Sequence, residues 1–419
     1  MAAVGTLAAA LPANAQSLNS GDTAWMLTAS TLVLFMTLPG LALFYGGLVR
    51  AKNLLSIFMQ CFAICCVVSL IWAVFGYSLA YAGDAPWLGS LDNLFLAGLT
   101  DVRAGTTMPE SVFALYQMTF AIITPALIIG AFPERAKFGF VLTFCAMWVT
   151  LVYVPVAHWV WGGGWLAVAG VRDFAGGIVV HTTAGISALV AALMIGVRRG
   201  FPSQMVPPHS PSLTMIGAGM LWVGWFGFNG GSASAAGASA GNAILATHFA
   251  ACAGALVWMV IEWRRHRPTT VGLATGCVAG LATITPAAGY VGPLGAILIG
   301  TAGGLVCYMA TVFFKTRLRV DDTLDVFTVH GVGGILGSLL LAPFALVELG
   351  GTGLPGADTL AEQVQAQLLG VGVTLVWSAA ATWMIIRLLR LFGSVRVDEE
   401  AEFNGLDLSE HGERAYDLG

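Results

Sequence analysis

Eleven apolar stretches limit what this chain can fold into more than any other feature. They run over residues 24–46, 54–82, 111–132, 138–157, 175–197, 212–230, 241–263, 271–288, 293–314, 327–347 and 364–390. About 20 apolar residues carry a helix across the hydrocarbon core of a bilayer. The eighth stretch is the weakest, with Pro286 near its end. Charged residues make up only 10% of the chain and hydrophobic ones 57%, whereas soluble domains carry roughly 25% charge. A soluble chain of this size has no way to bury so much apolar surface. The 53 glycines fall largely inside apolar runs, where small residues let helices approach closely without a hydrophobic drive between them. The expected fold class is an all-α integral membrane protein with eleven transmembrane helices.

Lys and Arg set the expected orientation. Sixteen of the 18 follow stretches 1, 3, 5, 7, 9 and 11, and only Arg103 and Arg172 lie on the other side. Positive residues favour the inner side, so the N-terminus is expected outside and the C-terminus in the cytoplasm. An internal repeat accompanies this alternation. Asp173-x7-His181-x3-Gly185-Ile186 recurs as Asp322-x7-His330-x3-Gly334-Ile335, in stretches 5 and 10. An odd number of spans separates the copies, so they run in opposite directions. That predicts a five-plus-five inverted repeat, with the eleventh helix as a C-terminal addition and a transport path between the halves. The expected division is an N-terminal segment over 1–22, a transmembrane domain over 23–391 and a cytoplasmic tail over 392–419. The N-terminal segment resembles a signal-peptide remnant, with Ala13-Asn14-Ala15 as the cleavage site and no basic n-region.

An ionisable side chain at mid-membrane is costly unless it faces a cavity or a partner. His181 and His330 are both placed there. Two separate imidazoles, each bonded to a backbone carbonyl, would be the simpler arrangement. Their matched places in the repeat favour a shared pair lining a path, able to pass a proton. His248 has no counterpart in the other half and reads as a packing residue; His158 lies near a span end, and His209, His266 and His411 lie in loops or the tail. Aromatic residues gather beside polar ones at span ends: Tyr116 and Phe120 with Gln117, Trp161 before three glycines, and Trp225 and Phe228 before Ser232. They fit an interfacial belt or a cation–π cage for a small ammonium-like ion. Asp173, roughly 12 Å outward of His181 along a helix, caps that helix, attracts cations, or does both.

Other motifs carry no chemistry. Gly351-x-Gly-x-x-Gly356 sits in an outer loop with a Pro and follows no strand, unlike a dinucleotide site. The seven cysteines lie in apolar runs without metal-ligand spacing and read as packing residues. The chain has no phosphate-binding loop and no Ser-His-Asp or zinc constellation, so neither an enzyme nor a cofactor nor a metal is expected, nor is nucleic-acid binding.

The run from Asp173-Phe-Ala-Gly-Gly177 through His181 to Arg198 resembles the signature of the ammonium transporters (Amt/Mep/Rh). Trp225-Phe-Gly-Phe-Asn-x-Gly-Ser232 and Arg319-Val-Asp-Asp-x-x-Asp325-Val-Phe-x-Val-His330 are similar to two further motifs, and Gly405 to Tyr416 looks like the family's cytoplasmic ending. The likeness covers residue 20 to the end. Trp161 and the tail motif point to the bacterial Amt branch rather than the Rhesus branch. The resemblance implies a homotrimer in the cell inner membrane with one pore per subunit, carrying ammonium and methylammonium. It implies that Phe120, Trp161 and Ser232 recruit NH4+ at the outer face with Asp173 behind them. Phe120 and Phe228 would form a gate, Trp225 and Gln117 would line the pore, and His181 and His330 would relay the proton. Tyr116 stands where the family commonly has Phe. The tail implies a cytoplasmic PII signalling protein as partner; by charge alone, eight acids against two Arg from residue 396 onward, it reads as a solvated end.

Overall fold

The computed structural model describes residues 17–416 except Met205; the expected cleavage site at Ala13-Asn14-Ala15 lies outside the described residues. All eleven apolar stretches are helical. They form α1 (Ser20–Leu48), α2 (Ala51–Tyr81), α3 (Glu110–Ala131), α4 (Phe138–Val168, interrupted over residues 161–164), α5 (Gly177–Ile195), α6 (Pro211–Gly231), α7 (Ala238–Arg265), α8 (Thr270–Ile284), α9 (Pro293–Leu318), α10 (Phe327–Phe344) and α11 (Leu360–Leu389). Among the described residues, nine of these are long and apolar enough to cross a membrane. The other two are α6, where Gly, Trp and Asn dilute the apolar residues, and α8, which has 15 residues. The sequence reading carried the eighth stretch on to residue 288. The helix stops at Ile284 and the chain turns through Pro286, whose ring removes a backbone donor. Among the described residues there is no strand, and one isolated bridge joins Ala136 to Arg396.

The bundle is apolar on its perimeter as well as inside. Leu70, Val376 and Met384 are 69%, 66% and 62% exposed on the flanks of α2 and α11. A surface of that kind needs a hydrocarbon solvent. Some polar groups inside link helices: Trp148 Nε1 donates to Ser187 Oγ at 2.9 Å, and Thr382 Oγ1 to the same oxygen at 2.9 Å, which ties α4, α5 and α11 together. α7 lies along α8 and α9, α1 along α6, and α11 along α5.

One end of the bundle is ionic. Arg135, fully buried after α3, donates to Ala131 O at 3.0 Å, Gly196 O at 2.7 Å, Asp321 O at 2.8 Å and Thr323 Oγ1 at 2.8 Å. Arg198 pairs with Asp321 at 2.9 Å, and Arg50 with Glu134 at 2.8 Å. Burial would raise the Asp321 and Glu134 carboxyls, but their Arg partners hold both below the usual range. The basic residues counted for orientation therefore also join the ends of α1, α3, α5 and α9.

The tail closes over this end, and its described part is docked rather than a solvated end. It carries two short helices, α12 (Glu399–Asn404) and α13 (Leu406–His411). The first residues of α2 and α4 have backbone N–H groups without intrahelical partners, and tail acids accept from them. Asp407 Oδ1 takes the Ser56 N–H at 2.8 Å and Glu410 Oε2 the Phe138 N–H at 2.9 Å. Glu402 accepts from Arg199 N–H at 2.6 Å and pairs with Arg396 at 2.7 Å.

Candidate functional site

α5 and α10 both open with a π-helical turn, Gly177–Thr182 and Phe327–Gly331, and each turn carries a repeat histidine. Such turns are uncommon and gather at functional sites. The two helices cross through the repeat glycines. Gly185 lies against the backbone of Gly331, and a Cβ added at Gly334 would sit 2.7 Å from His181 Cβ and 2.6 Å from Gly177 O. The x3-Gly spacing after each His is thus a packing requirement: one turn beyond the imidazole, only a hydrogen leaves room for the opposing helix. Sequence reasoning noted these glycines as part of the repeat without giving them this role.

The crossing brings the histidines together. His181 Nδ1 lies 3.2 Å from His330 Nδ1, with ring planes 23° apart. Two facing nitrogens at that distance take one proton between them, one donating and one accepting. His181 Nε2 is buried without a partner. Trp225 stacks on His181 with centroids 5.5 Å apart, and Phe228 follows at 6.1 Å. Trp225 is held by its Nε1, which donates to Thr285 Oγ1 at 2.8 Å, just past α8. Thr285 went unnoticed in the sequence because nothing local links it to a residue 60 positions earlier. Both histidines border a narrow cavity lined by apolar residues such as Phe44, Ile123, Leu127 and Val278. It has room for little more than one water-sized guest.

Beyond the histidines the aromatic residues form a column. Phe228 lies 4.2 Å from Phe120, centroid to centroid, Phe120 lies 5.8 Å from Trp161 edge-on, and Tyr116 is 5.0 Å from Phe120. Trp161 Nε1 donates to the Asp173 carbonyl at 2.8 Å. The Asp173 carboxylate faces the other way: it accepts from Gly176, Gly177, Ile178 and Val179 N–H groups at 2.7–2.9 Å. Of the two roles open for Asp173, capping is the one its contacts carry, and its backbone rather than its charge steadies Trp161. Burial raises the Asp173 carboxyl despite these four donors.

The family model described as the Ammonium Transporter Family matches residues 24–416. The chain belongs to that family. Among curated relatives, the ammonium transporter of Aquifex aeolicus is 46% identical, over 97% of this chain and 96% of its own. That of Bacillus subtilis is 43% identical, over 94% and 98%. Of solved structures, Mep2 of Saccharomyces cerevisiae superposes with a TM-score of 0.83 at 36% identity, over 92% of this chain and 91% of its own. A sensor Amt protein superposes at 0.87 with 30% identity, over 93% and 98%. This chain is accordingly a multi-pass membrane ammonium transporter, and not an enzyme.

The remaining candidates of the transporter fall into place around the column. Tyr116 carries a hydroxyl that donates to Phe228 O at 2.6 Å, close to Ser232 Oγ at 3.2 Å. Ser232 Oγ also donates to Phe228 O, at 2.9 Å. Tyr116 therefore fastens the end of α6 while its ring stays beside Phe120. Gln117 is half-buried with Oε1 unpartnered, and the cavity around the histidines does not include it. His248 is exposed on α7 against Trp222 and Phe226. His158 is buried between the carbonyls of Ala80 and Ala85. Among the described residues no cluster could hold a metal ion.

Proposed function

We propose that the transporter recruits NH4+ at Phe120, Trp161 and Ser232, strips its proton, and conducts NH3 past His181 and His330 while the histidines relay the proton. The observation that carries this reading is the 3.2 Å Nδ1–Nδ1 contact at the edge of an apolar cavity. An intact ion in so apolar a space costs tens of kcal/mol by idealised estimates. Losing a proton whose pKa lies about two units above the ambient pH costs only roughly 3 kcal/mol. A narrow apolar pore therefore favours the neutral molecule. Potassium has no proton to lose and bears the full ionic cost.

In this reading Trp161 and Phe120 offer π faces to the cation, Phe120 over Phe228 is the gate, Trp225 lines the pore and Gln117 stands near its entrance. All eleven helices cross the cell inner membrane as a five-plus-five inverted repeat plus α11, with the N-terminus outside and the tail in the cytoplasm. The matched π-turns and the reciprocal glycine contacts support the repeat. Residues 23–391 are the transport domain, 392–419 the regulatory tail, and 1–22 precede both. The functional unit is a homotrimer whose tail and inner loops receive a cytoplasmic PII protein. A second reading, an ammonium sensor with slow transport, draws on the superposition with the sensor Amt protein.

Uptake of labelled methylammonium into reconstituted vesicles tests both. Rapid uptake unaffected by excess potassium supports the transporter; saturable binding with little flux supports the sensor. His181→Ala and His330→Ala should each abolish selective flux, with the double variant no worse than either alone, because a relay needs both partners. A double variant that still moved charge selectively with ammonium would place the relay elsewhere.

A further inference from the structure

Asp322 holds the place in the second motif copy that Asp173 holds in the first, yet its carboxylate is treated differently. Asp173 spends both oxygens on four backbone N–H groups. Asp322 Oδ2 accepts from Phe327 N–H at 2.7 Å, the Val326 N–H also favours its carboxylate, and Oδ1 is buried without a partner in a residue only 3% exposed. The difference starts three residues later. Gly176 takes φ +121° and turns the following amides toward Asp173; its counterpart in the repeat is Asp325, at φ +62°. Asp325 brings a second carboxylate instead of a bare turn.

A buried carboxylate oxygen without a donor is expensive while ionised and cheap once protonated. Burial, with Asp325 adding to it, pushes the Asp322 carboxyl up to about 7. Every charged group near it has an account. Lys315 on α9 pairs with Asp325 at 2.7 Å, and favours the Asp322 anion only from a distance. The adjacent Asp321 is taken by Arg198 and Arg135. Tyr45 on α1 lies within electrostatic range of Asp322 and donates its O–H to Leu127 O at 3.0 Å.

Tyr45 bonds not to Asp322 but to the helix that walls the transport path. Leu127 lines the cavity beside His181 and His330. Three residues on, Gly130 packs against the Tyr45 ring and Val326, and its carbonyl accepts the Leu324 N–H at 2.9 Å. The loop holding Asp322 is thus laid on the end of the helix that walls the cavity. His330 is the fourth residue of α10, and Asp322 lies in the loop five residues before that helix. The charged end and the docked tail place it on the side away from Trp161.

We propose that Asp322 is a proton-carrying residue of the transport cycle, taking the proton from the histidine pair and releasing it to water on the tail side. The proposal rests on the reading that ammonium is deprotonated at the pair. Ammonium gives its proton to an imidazole and leaves as ammonia. The imidazolium gives up that proton to water entering the path, and the water passes it to the Asp322 carboxylate. The carboxylic acid then gives it to water. One ammonia and one proton reach the tail side, and both protein groups return to their starting forms.

The experiment compares ammonium-driven current with ammonia permeation, read as internal pH change, in vesicles containing the full-length protein. Asp322→Asn keeps the acceptor for Phe327 and removes the titrating group. Its current should fall about tenfold or more, well beyond any fall in ammonia permeation, and Asp322→Glu should recover part of it. Asp325→Asn removes the neighbouring negative charge and should shift the pH of half-maximal current downward. A current in Asp322→Asn like that of the unaltered protein overturns the proposal. So does an equal loss of current and permeation in a variant that is no less stable to heat, which marks a role other than carrying the proton. Infrared titration of the unaltered protein provides a check independent of variant folding: a carboxyl carbonyl band that disappears near pH 7 is expected, and its absence overturns the assignment. Ammonia permeation with no current in the unaltered protein would instead defeat the proton relay itself.

Discussion

The starts of the two histidine helices share a motif and differ in what their acids do. At the Trp161 end, a saturated carboxylate ties down the first turn of α5, and the aromatic column stands on that rigid support. At the other end, Asp322 has one unpartnered oxygen, with Asp325 and Lys315 acting on it and the Arg-bound Asp321 next to it in the chain. The repeat sets where the histidines go; one position, Gly176 against Asp325, sets how each end handles charge. A rigid rim whose one acid is saturated suits recognition of a cation through ring faces. A charged rim with one unsatisfied acid suits exchange of protons with water.

Four changes would break or sharpen this contrast, from the largest expected effect to the smallest. Arg135→Gln leaves the buried Asp321 with a weaker partner set and should cost about 3–5 kcal/mol, read as a fall in thermal unfolding temperature in detergent. A loss no larger than that of an exposed Arg would mean the ionic end is not a structural clasp.

The second compares the two acids directly. Asp173→Asn turns one of two oxygens that each take two backbone N–H groups into a donor, and should destabilise through those lost caps, although burial raises this carboxyl too. Asp322→Asn loses no such set of caps and should stabilise at high pH. A group whose folded pKa is raised binds its proton more tightly in the folded state, so the native protein loses stability as pH rises from about 4 to about 7. The Asn variant escapes that loss, and its advantage at pH 8 should reach a few kcal/mol at 1.36 per pH unit. Equal destabilisation by both substitutions would erase the distinction between the two ends.

Trp161→Ala is the third. A cation–π contact contributes about 0.5–2 kcal/mol, so half-saturation for methylammonium should rise a few-fold to tens-fold with less change in maximal flux. Unchanged half-saturation would return these rings to the interfacial belt. Asp407→Asn, on the tail, keeps a weaker acceptor for Ser56 and should cost about 0.5–1 kcal/mol. Faster proteolysis of the tail with the bundle intact is the expected sign; no change would mean the tail is held by its other contacts.

Much of this architecture was legible from local pattern. Long apolar stretches with little charge leave a chain few options but helices in hydrocarbon, and the position of His181 and His330 in two matching copies was visible without any structure. The eighth stretch was read too long because its composition stays apolar past the point where Pro286 ends it. The tail illustrates a different limit. Its acids look solvated by composition, and become caps only because α2 and α4 present unpaired N–H groups beside it.

The sequence alone therefore determined the apolar helices, the paired motif that carries the two histidines, and the family, since each depends on residue type and spacing along the chain. Only the tertiary structure decided that Asp173 is saturated and Asp322 is not, that Arg135 binds three segments at once, and that Gly334 makes room for His181. Those outcomes depend on which groups arrive from distant segments and on the direction each side chain takes, and neither is encoded within a turn or two of the residue concerned.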